Sequence, residues 1–299
     1  MNMKKIFALI LLLGNLAHAK LMVVATTTDL SSIAKEVGGN LIEVESIAKG
    51  TQDPHFIEAK PSFMLRSAHA DLLISVGLDL EIGWLPNIIR GARNPKINPG
   101  NDGFLEIGES LQTLEKPTGD LSRAQGDVHP QGNPHVTLDP IRAGQIAMII
   151  AERLAKLNPE NAALFQKNGQ IFSDRLKSKT ELWKKRIIAT GISKVVTYHK
   201  TLTYFLDRFA IQNAAILEPK PGIPPTSGHI LDVTQIMKKQ NIKLVLIENY
   251  FDPSIVKKIQ SIDPGVRSEI VPVSVDGEKA IGNLDELYET LVQAVEGKK

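Results

Sequence analysis

Cysteine is absent from all 299 residues, which excludes disulfides, thiolate metal sites, a cysteine nucleophile and a lipid carried on an N-terminal cysteine. A large excess of charge is lacking too, with 35 basic against 33 acidic residues, and without Lys4 and Lys5 the two signs balance. Electrostatic capture of nucleic acid or an anionic membrane therefore does not fit. The apolar run that opens the chain, Ile6 to Leu13, is interrupted by Asn15 and His18, far short of the roughly 20 residues of a membrane span. Low-complexity tracts and short repeats are missing. The 42% apolar and 23% charged residues belong to a globular chain with real cores, and the length suggests about two domains.

What is present begins with an address. Lys4 and Lys5, the apolar run and the triplet Ala17-His18-Ala19 form a secretory signal with a small-x-small cleavage site. Cleavage after Ala19 makes Lys20 the mature N-terminus and the periplasm the expected compartment.

From Leu21 onward short apolar runs alternate with amphipathic stretches. Strands are expected at 21–25, 41–46 and 71–76, with helices at 29–37 and 61–68 between them. The pattern returns in strands at 194–197, 210–216, 243–247 and 270–273. Such alternation implies an α/β fold of two lobes, each a parallel sheet flanked by helices. Between them Phe165, Phe172, Leu176, Trp183 and Ile187 form one helical stripe. A helix from Pro159 to Ile188 would be roughly 45 Å long, a rigid backbone joining both lobes and limiting their hinge. The expected division is a leader at 1–19, an N-terminal lobe at 20–158, a linking helix at 159–188 and a C-terminal lobe at 189–299. Glu115 to Gly132, rich in Gly and Pro, reads as a loop leading into a histidine motif.

Three histidines share a context. His55 lies in Asp-Pro-His-Phe-Ile-Glu, His135 in Asn-Pro-His-Val-Thr-Leu-Asp-Pro and His199 in Thr-Tyr-His-Lys-Thr. Each follows a strand or a Pro-stiffened turn and precedes a helix, where parallel sheets place ligands. Imidazole suits Zn(II), Cu(II), Ni(II) and Fe(II), and three imidazoles leave one tetrahedral position for a carboxylate or water. Asp276, in an Asp-Gly turn after the last strand, sits in the matching place of the second half, and Glu248, after a C-lobe strand, is the second candidate. His129 could form an auxiliary site or pass metal to His135. His69 reads as a helix C-terminal residue and His229 as a helix-start residue, both structural.

The Asp-Pro-His-x-x-Glu turn at 53–58, the Asn-Pro-His-x-x-Leu-Asp-Pro turn at 133–140, the histidine turn at 198–199 and Glu-Pro-Lys-Pro-Gly-Ile-Pro-Pro at 218–225 follow in an order that resembles the TroA-like zinc/manganese solute-binding proteins of bacterial ABC importers. The resemblance covers essentially the mature chain. It implies metal binding at the positions of His55, His135, His199 and Asp276, Zn(II) as the bound ion, and a monomer that delivers it to a membrane permease. A periplasmic metal donor protein would be a further partner. Departing from the zinc importers with a histidine-crowded loop, the 115–132 segment holds His129 alone.

Two other readings compete. A manganese or iron(II) binder of the same family would be favoured by more oxygen ligands, as with a carboxylate in place of His199. A zinc-dependent hydrolase would need a water-bearing position, and the His-Glu-x-x-His, Gly-x-Ser-x-Gly and phosphate-loop motifs are all missing. The expectation is a binding protein without catalytic residues.

Overall fold

The computed structural model describes residues 20–118, 128–220, 222–278 and 281–298. The expected leader, Met1 to Ala19, and the middle of the expected 115–132 loop lie outside the described residues.

Strand β1 (Leu21–Ala25) runs into α1 (Thr28–Gly38), whose first turn is capped by the Thr27 side chain accepting the N–H of Leu30. Then come β2 (Ile42–Ser46), α2 (Pro61–Ala68), β3 (Leu72–Ser75), α3 (Leu85–Ala92) and the short strand β4 (Phe104–Glu106). These strands pair in parallel in the order β2-β1-β3-β4. Every residue of β3 is buried, as befits an inner strand covered on both faces.

After α4 (Pro140–Leu157) and α5 (Ala162–Thr190) the pattern repeats as β5 (Lys194–Thr197), α6 (Thr203–Arg208), β6 (Gln212–Ile216), α7 (Ser227–Lys239), β7 (Leu244–Glu248), α8 (Ser254–Ile262), β8 (Arg267–Val271) and α9 (Leu284–Glu296). The second sheet is also parallel, in the order β6-β5-β7-β8. Strand β8 begins at Arg267 rather than at Ile270. Its polar Arg267, Ser268 and Glu269 hide it from an apolar pattern, while the Arg267 guanidinium donates to the carbonyls of Ala294 and Val295 on α9.

The long helix α5 has 29 residues and follows a 3-10 turn at Pro159–Asn161. Its stripe of Phe165, Phe172, Leu176, Trp183 and Ile187 is buried. Near its start Asn168 donates to the carbonyl of Val37 on α1; near its end Arg186 pairs with Glu289 and Glu296 on α9. A continuous apolar core runs from Val23 and Ile74 of the first sheet through Phe172 and Leu176 to Val195 and Leu246 of the second.

Buried polar contacts bind the halves as well. The Asp29 carboxylate accepts the Val275 N–H and the Thr137 hydroxyl, each at 2.8 Å. Asp139 accepts two bonds from Arg208 at 2.8 and 2.7 Å. Among the described residues no helix is long and apolar enough to cross a membrane.

Candidate metal centre

His55 and His135 are presented by the same local device. The Asp53 side chain accepts the backbone N–H of His55 at 3.0 Å, and the Asn133 side chain accepts that of His135 at 2.9 Å. Asp and Asn readily close such turns onto the N–H two residues on, and the proline between limits the backbone alternatives. Asn133 also reaches the second half, donating to the carbonyl of Lys200 at 2.9 Å. Its own carbonyl accepts the Tyr204 hydroxyl at 2.7 Å. The Asn133-Pro-His turn is thereby locked to the His199 turn.

His199 leaves the carboxyl end of β5, beside the carboxyl ends of its neighbours β6 and β7. Those ends supply Glu218 and Glu248. The Glu218 carboxylate lies 2.5 Å from His199 Nδ1, and Glu248 accepts the His199 N–H at 3.3 Å. Glu218 is held in turn by the N–H of Gly222 at 3.1 Å.

One potential ligand atom from each of His55, His135 and His199 falls within 4.8 Å of the others, the group of this kind found among the described residues. Ring centroids are separated by 5.3 Å for His55 and His135, 5.8 Å for His55 and His199, and 5.7 Å for His135 and His199. The Asp53 carboxylate holds His55 Nδ1 at 2.6 Å, as Glu218 holds His199. Since a carboxylate only accepts, both rings carry their proton on Nδ1 and turn Nε2 inward. His135 Nε2 is buried with no protein partner. Burial, then neighbouring imidazoles, push the His135 pKa well below its usual value, so the ring is neutral and competent to bind metal.

The remaining candidates fall elsewhere. Asp276 is exposed, at φ 59°, and does not join the histidine group. Its turn is pinned by close backbone approach: a Cβ on Gly50 would lie 2.1 Å from the Val275 carbonyl oxygen. Glu248 is fully buried and stands behind the His199 backbone; burial raises its pKa to about 8. His69 caps α2, and His229 lies in the first turn of α7 with Nε2 2.9 Å from the Ile216 carbonyl. His129 lies beside His55, with ring centroids 5.3 Å apart. Glu218 escapes a sequence reading because its partner is 19 residues away; the available signal was an acid at the end of a strand neighbouring the His199 strand.

The chain is similar to the metal ABC transporter substrate-binding lipoprotein SloC of Streptococcus mutans, at 26% identity over 255 residues covering 84% of this chain and 79% of SloC. It is 23% identical over 257 residues to the zinc-binding lipoprotein AdcA of Streptococcus pneumoniae, covering 85% of this chain and 50% of AdcA. The fold is shared with a Mn-bound mutant of a periplasmic metal binding protein from Candidatus Liberibacter asiaticus, at a TM-score of 0.77 and 17% identity, covering 94% of this chain and 100% of that one. With two parallel sheets joined by a long helix and residues 23–294 matching the family described as zinc-uptake complex component A, periplasmic, the chain belongs to that family of substrate-binding proteins of metal ABC importers.

Proposed function

We propose that this protein is exported, captures Zn(II) between its lobes through His55, His135 and His199, and delivers it to the membrane permease of an ABC importer. The observation carrying the reading is the convergence of three imidazoles, two of them aimed by carboxylates, within 4.8 Å. Nitrogen donors suit Zn(II), whereas Mn(II) takes more oxygen. Relatives divide between the metals, AdcA being zinc-binding by name and the Liberibacter protein Mn-bound; the donor set of this chain favours zinc. The lobes at 20–158 and 189–299, bridged by 159–188, are the two sides of the cleft. The periplasm, reached by cleavage after Ala19, is the compartment this function requires.

Protein purified without chelator or affinity tag is expected to take up about one equivalent of Zn(II), the capacity of one four-coordinate site, and to resist exchange for Mn(II). His55→Ala, His135→Ala and His199→Ala should each weaken binding far more than His69→Ala or His229→Ala. No bound metal, or a preference for Mn(II), would refute the zinc reading. Equal losses across all five variants would place the site elsewhere.

A further inference from the structure

His129 approaches the cleft from the segment before α4. Its Nδ1 lies 2.8 Å from the carbonyl oxygen of Leu78, which can only accept, so Nδ1 carries the proton and Nε2 a lone pair. His55 is set the same way by Asp53, with its Nδ1 proton directed at the carboxylate. Yet the two Nε2 atoms face each other at 3.2 Å. Two lone pairs at that distance repel, and the contact is favourable only with a cation between them, a proton or a metal ion. In a tetrahedral site with Zn–N bonds of about 2.0–2.1 Å, neighbouring nitrogens lie about 3.3 Å apart. The His55–His129 pair already has the spacing of two ligands on one ion.

The anchor of His129 is itself unusual. Gly77, Leu78 and Asp79, directly after β3, have φ of 74°, 56° and 64°. Left-handed backbone at Leu and Asp costs on the order of 1 kcal/mol or more at each residue and persists where surrounding contacts enforce it. Here the buried Glu81 carboxylate accepts the N–H groups of Val76 and Gly77 at 2.8 and 3.0 Å. Leu78, 2% exposed, packs so closely on Gly108 that a Cβ there would lie 2.4 Å from Leu78 Cγ. The strained turn thus holds a carbonyl where it receives His129.

Building on the zinc reading, we propose that His129 supplies the fourth nitrogen to the ion held by His55, His135 and His199, the position expected from sequence for Asp276. His129 is outside the group whose atoms all lie within 4.8 Å of one another. Binding therefore draws all four rings together toward the spacing that His55 and His129 already have. Four neutral imidazoles make an all-nitrogen site, which selects against Mn(II) more strongly than three imidazoles with a carboxylate.

The test is competitive zinc titration against a chelating dye, with cobalt(II) spectra as a second readout, on wild type, His129→Ala and Asp276→Asn. The His129 variant should lose at least about tenfold in zinc affinity, the lower bound of what even an outer-sphere partner contributes, and more than Asp276→Asn loses. Its cobalt(II) bands should shift, while its far-ultraviolet circular dichroism stays that of the wild type. Zinc affinity and cobalt bands unchanged in His129→Ala, with a loss in Asp276→Asn, would overturn the assignment while leaving the zinc reading intact. A wild-type protein that binds no zinc would refute the zinc reading itself.

Discussion

The imidazoles of His55 and His199 are each held through Nδ1, by Asp53 at 2.6 Å and Glu218 at 2.5 Å. A carboxylate in that position selects the tautomer, orients the ring and raises the basicity of the other nitrogen, and its loss typically costs 10–100-fold in metal affinity. Glu218→Gln retains the size of the side chain but removes the charge. It is expected to weaken zinc binding by about that 10–100-fold factor with unchanged circular dichroism, measured by chelator competition. A change below about twofold would mean that Glu218 merely packs the turn. The Asp53-Pro-His and Asn133-Pro-His turns were legible in the sequence because a side chain, a proline and an N–H two residues on are a local matter. Glu218 was not, because it meets His199 only through the pairing of β5 with β6, which sets Thr197 against Ile216.

Among the elements, α4 and α5 form an antiparallel pair whose contact depends on small residues. A Cβ on Gly144 would lie 2.7 Å from Ser173 Oγ, and one on Gly169 would lie 3.1 Å from the Ala147 carbonyl oxygen and the Ala151 Cβ. Gly169→Leu therefore forces the helices apart. Overpacking of this kind costs about 1–3 kcal/mol, against a gain in helix propensity of up to about 1, so thermal unfolding should move down by a few degrees. Gly169→Ala, whose Cβ would meet three atoms at 3.1–3.3 Å, each needing to give by only a few tenths of an ångström, and which has the same gain in propensity, should melt close to wild type; equal melting temperatures for all three would show that the helix contact is slack. The sequence stripe placed the helix at 159–188, whereas α5 runs Ala162–Thr190 and ends on left-handed Gly191, with φ 70°. The difference at the start is the 3-10 turn at Pro159–Asn161. That at the end is a glycine cap which accommodates left-handed backbone without a Cβ clash.

For the whole molecule, a core continuous through both sheets and the buried Asp29 and Asp139 contacts oppose wide separation of the lobes. Burial pushes the Asp29 pKa up to about 6, partly offset by its bonds from Val275 and Thr137. Metal exchange should then proceed by a small tilt and by adjustment of the turns that bear His129 and His199, not by opening like a jaw. Zinc is expected to raise the melting temperature in proportion to the logarithm of free metal. Solution scattering should meanwhile change by only a small fraction of the radius of gyration of ~19 Å typical of this length. A large decrease in that radius on binding would show that α5 acts as a hinge.

The alternation of strands and helices, the long bridging helix and the three histidine turns were specified by sequence alone, since hydrophobic period, capping and proline placement act over a few residues. Only the tertiary structure decided which of the distant groups meet. His55, the segment bearing His129 and His135, and His199 come from three separate stretches of chain, and their distances depend on how two sheets, packed through one core against α5, set their carboxyl ends across the cleft. The same packing presses the Asp276 turn onto Gly50 and leaves its carboxylate exposed, while the strained turn at Leu78 positions His129 beside His55. Neither outcome is encoded in local spacing, because each is fixed by a backbone contact between segments far apart in the chain.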